Sequence, residues 1–127
     1  MQRIIELSAS SARIRIRFIG QRLGPDLLAQ IIGGSCHIGC VALAPAGGLL
    51  NALSAPGHRE SELACEAASR LRDALKCGVA VIAGIHYDRI TGSEIEIVRK
   101  LSLSLVEEYI QIQERSRNAD PKGSGRI

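Results

Sequence analysis

Between residues 12 and 19 apolar and charged positions alternate strictly. Ile14, Ile16 and Phe18 fall on one side of an extended backbone, and Arg13, Arg15 and Arg17 on the other. A period of two is the mark of a strand buried on one face. Residues 3–9 carry Ile4, Ile5 and Leu7 and end in Ser8-Ala9-Ser10-Ser11, which predicts a strand and then a turn. Gly20 and Gly24-Pro25 predict the next turn. Apolar runs at 26–32 (closed by Gly33-Gly34), 37–44 and 49–54 predict three more strands. The last two are joined as a hairpin by Pro45-Ala46-Gly47-Gly48.

After Ala55-Pro56-Gly57 the period lengthens. From about residue 58 to 77, Leu63, Ala67, Leu71 and Leu75 share one helical face, flanked by Ala64, Ala68 and Ala74. Glu60 and Glu62 stand at its start and Arg70, Arg72 and Lys76 toward its end, which suits the helix dipole. Gly78 is placed to end it as a C′ residue. Residues 79–85, Val-Ala-Val-Ile-Ala-Gly-Ile, predict a buried strand. Thr91 and Glu94 then make a capping box, with Ile90 and Ile95 as its hydrophobic staple. The helix they start runs to about residue 114 and buries Ile95, Val98, Leu101, Leu105, Tyr109 and Ile112. Leu103 and Ile110 fall beside or beyond that stripe, where they suggest a subunit contact. Residues 116–127, polar and glycine-rich, predict a disordered tail. The order β-β-β-β-β-α-β-α predicts a single α+β domain over residues 1–115. Its sheet is mostly antiparallel, of about six strands, with two helices on one face.

This order brings the three histidines to one edge. Strands five and six flank a helix, so in one sheet they run parallel and end on the same side. His58 follows the fifth strand and His86 the sixth. His37 opens the fourth strand, whose start lies beside the end of the fifth in their hairpin. Gly33, Gly34 and Gly57 allow close backbone approach at that edge, and Glu60 and Asp88 supply carboxylates. The helix beginning near His58 turns its first N–H groups toward the same edge and favours an anion. The group suits a ligand pocket, a metal site with His37, His58 and His86 as candidate ligands, or acid–base chemistry.

Composition narrows these choices. Aromatic residues make up 2% of the chain, which weighs against recognition by base stacking, and a formal charge of +3 is too small to imply a nucleic-acid partner. Part of that charge lies in the tail at Arg115, Arg117, Lys122 and Arg126. No apolar run reaches the roughly 18 residues of a membrane span. Glu6 stands where a signal peptide would be apolar, so a cytoplasmic location is expected. Cys36, Cys40, Cys65 and Cys77 match no zinc-ribbon or CxxC spacing and are expected as buried free thiols. The arginine row is either an anion or partner surface or a solvated sheet face; the second is the commoner use of such a row.

Three blocks in order carry a resemblance to a known family. They are Gly33-Gly34-x-x-His37-Ile38-Gly39-x-Val41-Ala42-Leu43-Ala44, Pro56-Gly57-His58-Arg59-Glu60-x-Glu62-Leu63-Ala64, and Ala83-Gly84-Ile85-His86-x-Asp88-x-Ile90-Thr91. Over roughly residues 10 to 112 the chain resembles the small D subunit that accompanies gallate-type hydroxyaryl decarboxylases, the LpdD-like prenylated-flavin chaperones. The resemblance implies a proteasome-assembly-chaperone-like fold that tends to dimerise. It implies a non-catalytic carrier that holds prenylated FMN between a flavin prenyltransferase and a decarboxylase and shields the reduced cofactor from oxygen. By the same resemblance, Gly33, Gly34, His37, Gly57, His58, Glu60, His86 and Asp88 would line the flavin site. The competing readings are a metal-assisted hydrolase or lyase using His37, His58 and His86, and an assembly factor that binds a protein partner through the second helix or the arginine row.

Overall fold

The computed structural model describes residues 3–56 and 60–119. Along them run β1 (Ile4–Ser11), β2 (Ile14–Leu23), β3 (Asp26–Gly34), β4 (Cys40–Ala44), β5 (Asn51–Ser54), α1 (Ser61–Leu75), β6 (Val79–His86) and α2 (Gly92–Ala119). The six strands form one mixed sheet in the order β1-β2-β3-β6-β4-β5. β3 and β6 pair in parallel; the other neighbours are antiparallel. The expected class and element order hold. The fifth and sixth strands do run parallel, but β4 lies between them.

Alternation decides which face is buried. Ile14, Ile16 and Phe18 of β2, Leu27, Ala29 and Ile31 of β3, Val79, Val81 and Ala83 of β6, and Cys40, Ala42 and Ala44 of β4 all point inward and are buried. Both helices cover that face. α1 lies over β4, β5 and β6, and α2 over β1 and β2. The two helices use opposite packing solutions. α1 presents Ala64, Ala67 and Ala68, all fully buried, so its backbone lies close to the sheet. α2 presents Tyr109, whose ring tilts against Phe18 at 5.0 Å between centroids. A β-carbon on Gly20 would come within 2.7 Å of that ring, so the glycine makes the room.

Several boundaries differ from expectation. Ser8–Ser11 continue β1, and the hairpin turns at Ala12, whose φ is 53°. Gly20 lies inside β2, not in a turn. β4 begins at Cys40, which leaves His37 and an exposed Cys36 in the connection before it. α1 closes on Lys76 in the left-handed region. Gly78, expected there, instead donates its N–H to Asp26 Oδ1 at 2.9 Å. Val98, Leu105 and Tyr109 of the expected stripe are buried, but so are Leu103 and Ile110, while Ile95 is exposed, so the buried face of α2 is wider than expected and begins after its first turn. α2 also continues to Ala119, past its expected end. None of the described helices is long and apolar enough to cross a membrane.

Ser102 of α2 is fully buried, and its hydroxyl meets no hydrogen-bond partner among the described residues. An unsatisfied buried hydroxyl is destabilising, and alanine is also the better helix former. Ser102→Ala is therefore expected to raise unfolding stability by about 1 kcal/mol in urea titrations. A loss of that size would show that the hydroxyl is bonded.

Candidate functional site

Four stretches of chain meet at one edge of the sheet: the ends of β3, β5 and β6, and the start of β4. Gly34 of β3 stands level with His86 of β6, and Cys40 of β4 stands level with both Ala83 and Ser54. The chain leaving β3 must pass over the end of β6 to enter β4. Gly34 starts that passage with φ 64°, and the Ser35 N–H donates to the His86 carbonyl at 3.0 Å. The passage lies so close to β6 that a β-carbon on Gly84 would overlap the His37 carbonyl. Gly39 ends it, donating its N–H to the Ala83 carbonyl at 2.9 Å.

The late start of β4 leaves the Ile85 N–H of β6 without a strand partner on that side. Glu60, the residue just before α1, takes the place of the missing strand. Its Oε2 accepts from Ile85 N–H at 3.2 Å and lies 3.3 Å from His37 Nε2. The side chain is only 12% exposed. It makes no cap bond to α1, because it turns to the sheet instead. Gly39 is what admits it: a β-carbon there would overlap the carboxylate. The other ring nitrogen of His37, Nδ1, is 3.3 Å from the Ser35 carbonyl, so the imidazole is oriented from both sides.

His86 stands edge-on to His37, with ring centroids 6.3 Å apart. Its Nε2 is 3.1 Å from Asp88 Oδ1, and both side chains are exposed. The loop carrying them is clasped by the β1–β2 hairpin, which turns at the same edge of the sheet. Arg13 donates to both carboxylate oxygens of Glu94, at 2.8 and 2.9 Å, and to the Asp88 carbonyl at 2.9 Å. Its guanidinium also lies 5.6 Å from the centre of the Tyr87 ring. The Tyr87 hydroxyl donates to the Arg15 carbonyl and accepts from the Arg15 N–H, both at 2.8 Å. The expected capping box is present: Glu94 N–H donates to Thr91 Oγ1, and Thr91 N–H to Glu94 Oε1, each at 3.1 Å. Hydrogen bonding from Arg13, and then from Thr91, holds the Glu94 carboxyl down at about 2.

Of the expected site residues, Gly34, His37, Glu60, His86 and Asp88 come together. Gly33 does not join them. It faces the helix side, where a β-carbon would meet the Arg15 carbonyl oxygen at 2.8 Å. Gly57 and His58 lie outside the described residues. Among the described residues, no group of three His, Cys, Asp or Glu side chains could hold a metal ion. The arginine row is not simply a solvated face, since Arg13 joins the clasp and Arg17 pairs with Glu6 at 2.8 Å. No pattern near Arg13 signals its distant partner, whereas the Thr91–Glu94 spacing does mark the other half of the clasp.

Residues 10–114 match the family model described as the prenylated flavin chaperone LpdD-like domain. The chain belongs to that family. The matched span contains the whole histidine edge. No curated protein matches the chain. Among solved structures, a chaperone complex for yeast 20S proteasome assembly is similar, with a TM-score of 0.60 at 8% identity, covering 90% of this chain and 96% of that one. At that identity the likeness is one of fold. It shows that the LpdD-like chain has a proteasome-assembly-chaperone-like architecture.

Two outcomes follow for the edge of this LpdD-like domain. Gly84→Ala should lower stability by about 3 kcal/mol, because the new methyl meets backbone that cannot step aside without breaking the passage. Unfolding close to that of the parent chain would show that the passage can shift freely. Glu94 has a folded pKa below its ordinary 4.5, so it contributes stability above that pH and loses it as the pH falls toward 2. Glu94→Gln should melt a few degrees below the parent chain at pH 7. The gap should close between about pH 4.5 and 2 in circular dichroism melts.

Proposed function

We propose that this chain is a non-catalytic binding protein for prenylated FMN, which it carries or protects for a prenylated-flavin-dependent aromatic acid decarboxylase. The observation that carries the reading is the family match across the edge where His37, Glu60, His86 and Asp88 meet. The donor set suits such a ligand. His86 is open to solvent and can donate to a phosphate or to the polar rim of a flavin. Glu60 is occupied by Ile85 and His37, so its charge is turned away from an incoming anion. Beside the histidines the sheet offers aliphatic surface, at Ile32 and Ile82, for a flat ring. His37, Glu60, His86 and Asp88, with Gly34 shaping the backbone and Gly57 and His58 adjoining by sequence, are the residues that would hold the cofactor.

In this reading the carrier works in the cytoplasm as a homodimer or higher homo-oligomer. It receives the flavin from a prenyltransferase and releases it to the decarboxylase. The bound group supplies the decarboxylation chemistry only after transfer. Within the carrier, this chain's residues bind, orient and exclude oxygen.

Anaerobic titration with reduced prenylated FMN, with plain FMN as the control, tests the reading. One flavin per chain and no turnover are expected. His86→Ala should weaken binding about tenfold, the loss of one charge-assisted hydrogen bond. Unchanged affinity in both His37→Ala and His86→Ala would remove this edge as the site. Failure to bind either flavin, or a chelator-sensitive hydrolase or lyase activity of the chain alone, would overturn the carrier reading.

A further inference from the structure

We infer that Arg15 and His86 form a seat for a phosphate monoester on the side of the histidine edge away from the helices. In the carrier reading, on which this rests, the ligand is the terminal phosphate of the flavin. Arg15 alternates with buried Ile14 and Ile16, so its exposed side chain points away from the helices. The last rung between β2 and β3 pairs Ile16 with Gly33, and the next step sets Arg15 beside Gly34. Gly34 in turn stands level with His86, and Ser10 of β1 with Arg15. His86 follows Ile82 and Gly84 onto the same face in the alternation of β6, and it is exposed. One row along the edge therefore reads Ser10, Arg15, Gly34, His86. The position between guanidinium and imidazole is a glycine.

The backbone of Arg15 is held tightly while its charge is left free. Where Gly34 leaves β2 to follow β6, the Tyr87 hydroxyl takes the place of the strand. It donates to the Arg15 carbonyl and accepts from the Arg15 N–H, both at 2.8 Å. Tyr87 adjoins His86 in the chain, so one residue fixes the spacing of both arms of the seat. Two strand spacings of about 4.8 Å separate the arms, room for a phosphate that accepts bonds of about 2.8 Å from each side. The other two arginines of the row are engaged, Arg13 with Glu94 and Arg17 with Glu6. Among the described residues, the Arg15 guanidinium has no such partner. The carboxylates nearby are themselves taken: Glu6 by Arg17, Glu94 by Arg13, and Asp88 by His86 Nε2 at 3.1 Å. That last contact leaves Nδ1 as the ring nitrogen open to a ligand. A carboxylate has two oxygens and would be used up by the guanidinium fork. A phosphate monoester has a third, which remains for His86.

Anaerobic titration with reduced prenylated FMN, and with the same flavin stripped of its phosphate by a phosphatase, reads the seat. In the parent chain, loss of the phosphate should weaken binding about 30-fold or more. Arg15→Gln should weaken binding of the phosphorylated flavin about 30-fold and leave the dephosphorylated flavin unchanged. It should melt with the parent chain, since the side chain is exposed. Arg15→Lys, which keeps the charge and loses the fork, should fall between the two. Arg17→Gln should change neither affinity by more than about twofold. If Arg15→Gln binds the phosphorylated flavin as the parent does, or Arg17→Gln weakens it as much, the seat falls and the carrier reading stands. If the parent binds neither flavin, the carrier reading falls and inorganic phosphate decides the seat. In heteronuclear NMR spectra phosphate should move the Arg15 Nε and His86 ring signals together, and the His86 signals should stay still in Arg15→Gln. Phosphate that leaves both residues unmoved, or moves His86 equally without Arg15, would overturn the proposal.

Discussion

β6 enters the sheet between two strands that are consecutive in the chain, β3 and β4, and the rest of the edge follows from that insertion. A parallel neighbour for β3 cannot be reached by a hairpin, so β6 arrives last, after α1 has crossed the sheet. The connection from β3 to β4 must then pass over the end of β6. Backbone crossing backbone leaves no space for a side chain, hence Gly84 beneath the passage. Gly34 is needed to turn the chain at φ 64°. The same passage carries His37 across to His86, which is why two residues 49 positions apart stand 6.3 Å apart.

The crossing also creates a polar debt of a definite kind. Because β4 joins the ladder late, the Ile85 N–H points to an absent strand. A buried amide without a partner is destabilising by about 1–3 kcal/mol. A carboxylate from the start of α1 fills the place, and in doing so it sits within reach of His37. The Glu60–His37 pair is therefore part of the sheet's hydrogen bonding as well as of the site. The His86 side of the edge is held differently, by Arg13, Tyr87 and the Thr91–Glu94 box, all of which act on the loop rather than on the imidazole. One histidine is fixed by a buried carboxylate, the other by a clasped loop. The second is the more open to solvent and the better placed to meet a ligand.

Much of this was legible in the chain because periodicity reports burial. Ile14, Ile16 and Phe18 mark β2, Val79 to Ile85 mark a strand in the middle of the sheet, and Leu71 and Leu75 mark the inner face of α1. Hairpin and crossover rules were enough to put His37 and His86 on one edge. Periodicity does not say which strands are neighbours, so the insertion of β6 between β3 and β4 could not be read, nor could the late start of β4. Glu60 was expected both at the histidine edge and in the first turn of α1, but nothing local distinguishes a carboxylate that faces a helix from one that turns to a sheet. Arg13 looked like one tooth of a solvated row, because its partner Glu94 lies 81 residues away. Leu103 and Ile110 were misplaced because Ser102, fully buried, interrupts the apolar positions and hides how wide the buried face of α2 is.

The two faces of the sheet make opposite demands on the same strands. Inward positions hold residues small enough for α1 to lie close, Ala42, Ala44 and Ala83 among them, and this brings the start of α1 down to the edge where Glu60 can reach Ile85. Outward positions on the same strands hold Val41, Leu43 and Ile82, with no helix to meet them. β-branched and leucine side chains on a wholly solvated face gain nothing from burial in the lone chain. Val41 of β4 stands level with Ile82 of β6, so the helix-free face is apolar along β6 and β4 and polar toward β2, where Arg17 and Gln21 lie. Gly84, on that face, is covered by the His37 passage, so the histidine edge is where the buried side of the sheet gives way to the open one.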